Sequence, residues 1–197
     1  MAQFLLPRRM IRRYQDTPVA RELVEQILTA AIQAPSPHNR QPWRFAVLVG
    51  TARERLAEAM GAQLRRDLAA DGVAPAMIEK DALRSAQRIT SAPVGILVCL
   101  TMVDMDIYPD ILRNQHERWM AGQAVAAACQ NMLLCAAELS LGACWMCAPL
   151  FCADVVRSAL ALPADWESQA LITIGYPADT GKERGRKPVG EVSRWFS

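Results

Sequence analysis

Residues 34–45, Ala-Pro-Ser-Pro-His-Asn-Arg-Gln-Pro-Trp-Arg-Phe, most limit what this chain can fold into. Apolar residues recur at a helical period over residues 21–34, and an apolar run follows over residues 45–49. The segment therefore joins a predicted helix to a predicted strand. Its three prolines fix the backbone and remove amide donors. Such a stiff polar loop is typical of a binding site, and it equally fits a plain connection between helix and strand.

The other predicted elements alternate irregularly along the chain. Helices are predicted over residues 52–69, 75–91, 119–139 and 153–160, and strands over residues 94–101 and 170–176. The polar, irregular segment 104–116 is typical of a lid or a short helix. Leu141-Gly142 is predicted to end the helix over residues 119–139. This order predicts an α+β fold rather than a doubly wound sheet, in a single domain over residues 1–197.

The charge balance and hydropathy exclude several classes of protein. The net charge of +2 does not indicate a nucleic-acid partner. No uninterrupted apolar run approaches the ~20 residues of a membrane helix, and the apolar stretch at the N-terminus is too short for a signal peptide. We therefore expect a soluble cytoplasmic protein with neither a nucleic-acid nor a membrane partner. The predicted helix 119–139 is apolar around most of its circumference, which predicts a central position or a subunit interface.

Familiar catalytic motifs are absent from the sequence. It has no G-x-S-x-G, Walker, G-x-G-x-x-G or H-E-x-x-H pattern. The two histidines, His38 and His116, supply a zinc site or a triad poorly. Without an export signal, the six cysteines are predicted to be free thiols. Cys144 and Cys147 have C-x-x-C spacing, but no second pair exists and Pro149 follows where a redox motif would open a helix. No metal site is predicted.

Basic residues cluster near both ends of the chain. Four arginines occur in residues 8–13, either as a solvated charge run or as a docked segment whose guanidinium groups face a phosphate. Interleaved apolar residues favour docking: Met10, Ile11 and Tyr14. The tail carries a second basic group and then Trp195-Phe196, which predicts that the tail is docked on a surface. This second group is Lys182, Arg184, Arg186 and Lys187.

Four segments together resemble the FMN-dependent nitroreductase family. Residues 8–14, Arg-Arg-Met-Ile-Arg-Arg-Tyr, are similar to its R-R-S-[IV]-R-x-[FY] opening, and residues 34–45 to its A-P-S-x-x-N-x-Q-P-W-x-F loop. Residues 130–134 with 141–145 resemble its Q-N-[LM]-L-L helix and G-x-G-x-x-W turn, and residues 174–177 its closing G-Y-P strand. The resemblance covers nearly the whole chain.

One branch of that family is the most similar. Residues 43–68, 148–157 and 162–167 look like parts of the FMN-binding reductase domain that is fused to the γ-glutamyl ligase of deazaflavin coenzyme biosynthesis. That domain reduces a dehydro precursor of the deazaflavin. No ligase domain is present in these 197 residues, which weakens the expectation of that particular role.

The resemblance implies an FMN site and names its residues. Arg8 and Arg12 match the family's phosphate and ribityl ligands, and Arg184 and Arg186 fall where basic residues close over the phosphate. Met10 stands where serine is usual, so only its backbone can replace that serine. The implied cofactor-binding set is Arg8, Arg9, Met10, Arg12, Pro35, Ser36, His38, Asn39, Gln41, Cys147, Ala148, Arg184 and Arg186.

Two segments supply the flavin end of the implied site: residues 34–45, here called the proline loop, and a later turn. Ser36 and Asn39 match residues that hold the ribityl chain and the pyrimidine edge of the flavin. Gln41 is a weaker candidate, and His38 faces either the ligand or solvent. The main-chain N–H near Ala148 is placed to bond flavin N5, whereas Pro149 has no N–H.

The resemblance also implies architecture and activity. The fold is a central, mostly antiparallel sheet flanked by helices, in an intertwined homodimer with FMN at the subunit interface. The activity is ping-pong hydride transfer from NADH or NADPH through flavin N5 to a nitroaromatic, quinone or other conjugated acceptor. The flavin itself performs the redox step, so no catalytic side chain is predicted. The alternatives are reduction of a dehydro deazaflavin precursor, and flavin or deazaflavin binding without turnover.

Overall fold

An antiparallel sheet forms the centre of the fold. In the computed structural model, which describes residues 8–196, the strands are Trp43–Leu48 (β1), Val94–Leu100 (β2), Gly142–Met146 (β3) and Glu167–Gly175 (β4). Within that range four strands lie in the order β1–β2–β4–β3, each antiparallel to its neighbours. Every residue of β2 is buried, because this strand is covered on both faces. The predicted α+β class and antiparallel sheet are confirmed.

Helices cover both faces of the sheet. Over residues 8–196 the helices are Arg21–Ala31 (α1), Thr51–Ala70 (α2), Pro75–Thr90 (α3), Ile111–Glu138 (α4), Ala153–Leu160 (α5) and Val189–Val192 (α6). Side chains of a strand alternate between its two faces, so Ile96 and Val98 of β2 pack in one core with α1 and α4. Leu97 and Cys99 pack in a second core with α2 and α5. The sheet is therefore the middle of three layers.

Some element boundaries differ from the sequence predictions. α1 ends at Ala31 rather than at residue 34, and β1 begins at Trp43 rather than at residue 45. The largest difference is α4, which begins at Ile111, inside the segment predicted to be polar and irregular. Asp110 caps this helix, because its carboxylate accepts a hydrogen bond from the backbone N–H of Arg113 at 2.8 Å.

Gly142 does not end α4, contrary to the sequence prediction. The helix ends at Glu138, and the left-handed residue that follows it is Ser140, with φ of 59°. Gly142 is instead the first residue of β3. A Cβ atom there would lie 2.6 Å from Cγ2 of Ile11. Glycine is therefore required for a close approach of two chain segments and not for a turn.

The N-terminal segment joins the sheet at the start of β3. Met10 forms a parallel bridge with Ala143, and Tyr14 forms an antiparallel bridge with Pro177. The hydroxyl of Tyr14 donates to the carbonyl of Ile11 at 2.8 Å. The docking predicted for residues 8–14 is present, and it places this segment beside the edge strand of the sheet.

The aromatic pair of the tail does not dock on residues 8–196. Trp195 and Phe196 are 96% and 94% exposed, so the predicted docking of these side chains is not made within the described residues. Residues 1–7, where the sequence predicts no signal peptide, and Ser197 lie outside the described residues.

α4 is unusual in both length and apolarity. Within residues 8–196 it is the one helix that is long and apolar enough to cross a membrane, by length and composition only. This is weak evidence for a membrane span, because the core helix of a globular protein passes the same test. The buried side of α4 packs against the sheet and α1, which accounts for the apolar residues on that side.

Candidate functional site

A basic cavity of about 410 Å³ forms where the N-terminal segment meets the C-terminal tail. Six of the predicted site residues line it, and they come from two clusters that are distant in sequence. The structure therefore brings these clusters together. The complete lining contains six cationic side chains and one carboxyl group. The lining residues are Arg8, Arg9, Met10, Arg12, Lys182, Glu183, Arg184 and Arg186.

Ile11 holds the two segments against each other. It is 7% exposed, and its backbone N–H donates to the carbonyl of Ala143 at 3.0 Å. Its side chain packs between Gly142 and Gly181: a Cβ at these positions would lie 2.6 Å from Cγ2 and 2.9 Å from Cδ1 of Ile11. Gly181 begins the tail that carries Lys182. One buried side chain thus fixes both walls of the cavity.

The cavity has more positive charge than its own carboxyl group can balance. Glu183 Oε2 lies 3.3 Å from Arg9 Nη2. Arg8 Nη1 is buried and has no hydrogen-bond partner among residues 8–196. A buried donor without a partner costs about 1–3 kcal/mol, and more when it is charged. Because guanidinium groups bind phosphates through paired, charge-assisted hydrogen bonds, the cavity fits the phosphate group of FMN.

The proline loop forms a strained turn. Pro37–Asn39 is a single turn of 3₁₀ helix, and His38, Asn39 and Gln41 have φ of 46°, 54° and 52°. This left-handed region costs roughly 1–2 kcal/mol for each residue that has a Cβ. All three side chains are exposed. Ser36 Oγ accepts a hydrogen bond from the N–H of Gln41 at 3.0 Å, which closes the loop, and its hydroxyl can still donate its own hydrogen.

The proline loop and the basic cavity meet different parts of α4. Arg8 and Arg9 line a second cavity with Leu133 and Ala137 of α4. The residues of α4 near the loop lie roughly 15 Å from Leu133 and Ala137 along the helix axis. Within one chain, therefore, the loop does not reach the basic cavity. The loop cavity, of about 430 Å³, is lined by Pro35, Ser36, Pro37, His38, Met120, Gln123, Ala124 and Ala127.

β3 connects the basic cavity to the turn that contains Cys147 and Ala148. Both residues are exposed, and Ala148 begins a 3₁₀ turn, Ala148–Cys152. The N–H groups of a first turn have no acceptor within their own helix, so the N–H of Ala148 is suited to bind a ligand. Pro149 is buried, and its carbonyl accepts a hydrogen bond from Ser168 Oγ at 3.1 Å. That bond fixes the turn to β4.

The C-x-x-C spacing places its two thiols in different environments. All six cysteines are free. Cys144 is buried in β3, and this burial raises the pKa of its thiol, whereas Cys147 is exposed. Among residues 8–196, no group of three or more His, Cys, Asp and Glu side chains is arranged to hold a metal ion. Cys147 is thus the accessible thiol of this pair.

Comparison with known proteins decides the family. The model of the nitroreductase family matches residues 5–176. The chain belongs to the nitroreductase family. A relative from Thermus thermophilus named NADH dehydrogenase is 31% identical, and the match covers 96% of this chain and 93% of that protein. The family predicted from the sequence is confirmed.

Solved structures give the same fold. A protein from Desulfovibrio desulfuricans, assigned as a nitroreductase and solved in complex with FMN, is 33% identical and superposes with a TM-score of 0.75, over 99% of this chain and 96% of that chain. A BluB-like flavoprotein from Clostridium difficile is 22% identical, with a TM-score of 0.81 over 98% of this chain and 97% of that chain. The second likeness concerns the fold alone.

Some residues of the basic cavity were missing from the predicted set. Lys182 and Glu183 line it, and neither was assigned to the site. A local signal was present for the turn before them, because Asp179-Thr180-Gly181 has an aspartate two residues before a glycine. The N–H of Gly181 indeed donates to Asp179 Oδ1 at 2.9 Å. The role of Ile11 had no local signal, since both of its glycine neighbours are distant in sequence.

Proposed function

We propose that this protein transfers hydride from NADH or NADPH to a nitroaromatic, quinone or other conjugated acceptor by a ping-pong mechanism. As a member of the nitroreductase family, it is an FMN-dependent NAD(P)H oxidoreductase. When bound, FMN would supply the redox chemistry, with N5 as the atom that carries the hydride. The observation that carries the proposal is the basic cavity with the buried Nη1 of Arg8, which has no hydrogen-bond partner among residues 8–196.

The basic cavity would hold the phosphate of FMN. Arg8 and Arg12 reach it from the N-terminal segment, and Arg184 and Arg186 reach it from the tail. Arg9 is already paired with a carboxyl group inside the cavity, so its part is to order the wall. Met10 would contribute through its backbone, because its bridge with β3 holds its main chain in place.

The proline loop and the turn after β3 would hold the flavin. Asn39 is exposed in a left-handed conformation, and Ser36 retains a hydroxyl donor, so both can bond the ribityl chain and the pyrimidine edge. Pro35, His38 and Gln41 would complete this wall. The N–H of Ala148, beside Cys147, would donate a hydrogen bond to N5 and so hold the reacting atom in place.

The complete site would need two copies of the chain. The loop cavity and the basic cavity share no lining residue. A second copy would place the loop of one subunit on the cavity of the other. Exposed apolar side chains supply surface for such a homodimer. Trp119 is 70% exposed on α4, and Trp195 and Phe196 are almost fully exposed in the tail. Each chain would act as a single FMN-binding domain over residues 1–197.

Flavin binding tests the proposal directly. The purified protein should be yellow or should become so with added FMN, and anaerobic NADH or NADPH should bleach it. Arg8→Ala should weaken FMN binding by about 10- to 100-fold, because a hydrogen bond to a charged group contributes about 1.5–3 kcal/mol. Arg157→Ala is the matched control, since Arg157 pairs with Asp154 on α5. Colourless protein that takes up no FMN would refute the proposal.

Subunit complementation tests the shared site. Arg8→Ala breaks the basic cavity, and Asn39→Ala breaks the loop without touching the proposed interface helix. If each site combines the cavity of one subunit with the loop of the other, a heterodimer of the two variants contains one intact site. Random exchange of subunits should therefore restore tight FMN binding at about a quarter of the sites. No recovery in verified heterodimers would show that each site lies within one chain.

A second candidate function is reduction of a dehydro precursor of a deazaflavin. The resemblance of residues 43–68, 148–157 and 162–167 to the reductase domain of that pathway favours it. A bound flavin that is not bleached by either pyridine nucleotide would favour this function or a binding role without turnover. Reoxidation of the bleached protein by quinones or nitroaromatics would support the leading proposal.

A further inference from the structure

The conformation of the proline loop needs support from outside the loop. His38, Asn39 and Gln41 all have positive φ, which side chains with a Cβ rarely adopt. Within the loop, Ser36 Oγ accepts from the N–H of Gln41 at 3.0 Å, and the N–H of Arg40 donates to the carbonyl of Pro37 at 2.8 Å. These short-range bonds define a turn but do not attach it to the rest of the protein.

Residues 101–110, between β2 and α4, supply this attachment and are here called the brace segment. The guanidinium group of Arg40 donates to Asp106, and Oδ2 of Asp106 lies 3.9 Å from Nε2 of His38. Arg44 donates to the carbonyl of Gln41 at 3.1 Å and to Asp104 at 3.2 Å. Two aspartates of this brace segment thus hold two arginines in and beside the proline loop.

Polar side chains of α4 hold the brace segment in turn. Asn114 Nδ2 donates to the carbonyl of Tyr108 at 2.7 Å, and its Oδ1 accepts from the N–H of Tyr108 at 2.9 Å. Glu117 Oε1 accepts from the N–H of Asp106 at 3.3 Å. Glu117 is the first link in a chain of contacts through Asp106 to Arg40.

Glu117 is an unusual residue for its position. Its side chain is fully buried, although glutamate is almost never buried without a partner. Its Oε2 has no hydrogen-bond partner among residues 8–196, and an apolar side chain there would avoid the desolvation cost. The contact that the carboxyl group makes with the backbone of Asp106 is therefore the main reason that the structure offers for a glutamate here.

We infer that Glu117 and Asp106 are positioning residues for the FMN site. Glu117 fixes the backbone of Asp106, and Asp106 fixes Arg40, so that the proline loop keeps its left-handed residues in place for the flavin. Neither residue contacts the basic cavity, and neither belongs to the proposed set of FMN ligands. The inference rests on the proposed function, because the loop is assigned to FMN there.

The side chain of Asp106 gives the first test. It is 28% exposed, so Asp106→Ala should fold. The variant loses the pair with Arg40, and FMN affinity should fall roughly five-fold as the loop leaves its binding conformation for part of the time. Asp81→Ala is the matched control: Asp81 has a 34% exposed side chain and pairs with Arg84 on α3, and this control should bind FMN like the wild type.

Glu117 gives a second test by rescue. Glu117→Met removes the acceptor at similar size and should weaken FMN binding to about the same extent as Asp106→Ala. Glu117→Gln keeps an oxygen that can accept from the N–H of Asp106 and should bind FMN like the wild type. Quenching of flavin fluorescence gives the affinities, at a temperature where circular dichroism shows that every variant is folded.

The outcomes separate this inference from the proposed function. Wild-type protein that binds no FMN refutes both. Wild-type protein that binds FMN while Asp106→Ala binds it equally tightly refutes the positioning role alone. If Glu117→Met does not fold, the comparison of Asp106→Ala with Asp81→Ala still decides. Weakened binding in Asp106→Ala, with rescue in Glu117→Gln, supports the relay.

Discussion

A single methyl group at position 142 should loosen the N-terminal wall of the basic cavity. In Gly142→Ala the new Cβ would meet Cγ2, Cβ and Cγ1 of Ile11 at 2.6, 2.8 and 3.0 Å. Carbon atoms pack at about 3.5–4.0 Å, so the two segments must separate by about 1 Å. Ile11 cannot swing away, because it is buried and also packed against Gly181.

The magnitude follows from these contacts. Overpacking a well-packed site costs about 1–3 kcal/mol. The hydrogen bond from the N–H of Ile11 to the carbonyl of Ala143 is 3.0 Å long, and a shift of about 1 Å takes it beyond normal hydrogen-bond length, for about 1 kcal/mol more. We expect the free energy of unfolding to fall by about 2–4 kcal/mol in total.

Urea denaturation measures this change. With a slope of about 2 kcal/mol per molar urea, the midpoint should fall by about 1–2 M. FMN affinity should fall as well, because the displaced segment carries Arg8 and Arg12. The control is Gly61→Ala in α2, where the nearest atom to the new Cβ is the flexible end of Arg65 at 3.4 Å; it should be neutral or stabilising. A midpoint for Gly142→Ala equal to that of the wild type would refute the packing argument.

Three further outcomes follow from the ionisable side chains. Burial raises the pKa of both the Cys99 and Cys129 thiols to about 12. At about pH 8 a thiol reagent should therefore label the exposed Cys147 first and the two buried cysteines only after unfolding. Equal labelling rates for the three cysteines would contradict the burial of Cys99 and Cys129. Because these two pKa values are raised above the ordinary value of 9.0, the stabilisation by the buried neutral thiols is fully present below about pH 9. The free energy of unfolding should then fall toward pH 12 by about 1.4 kcal/mol per pH unit per thiol. Urea midpoints across that range measure this fall. The hydrogen bond from Arg118 lowers the pKa of Glu167 below its ordinary 4.5, so this pair stabilises the fold above that pH and loses its effect as the pH falls through the lowered pKa. Arg118→Met should remove that part of the loss of stability in acid. An unchanged dependence of the urea midpoint on pH in acid would show that the pair contributes nothing.

Elements with complete local signals were predicted well. α5 spans Ala153–Leu160 as expected, and α3 begins at Pro75, where the missing N–H of proline is harmless in the first turn. The β2 strand was recognised because a continuous apolar run fits a strand that is covered on both faces. In each case the pattern that predicts the element lies within a few residues in sequence.

Elements whose boundaries depend on distant contacts were predicted less well. The sequence predicts an irregular segment at the polar start of α4, because the tertiary contacts that satisfy its polar residues leave no local signal. Asn114 bonds the backbone of Tyr108, and Glu117 bonds that of Asp106. Gly142 was assigned to a helix end because glycine serves several purposes, and only the packing of Ile11 against it reveals which one applies.

The sequence alone determined the fold class, the family and the two basic clusters, because periodicity, local motifs and charge are properties of neighbouring residues. The family resemblance implied that Arg8 and Arg186 meet at one phosphate, and the tertiary structure places both in one cavity. Only the tertiary structure decided that this cavity lies apart from the proline loop. It also decided that a buried glutamate supports that loop through Asp106. These relations depend on strand pairing and on packing between segments that are far apart in the chain, and no local pattern encodes such distances.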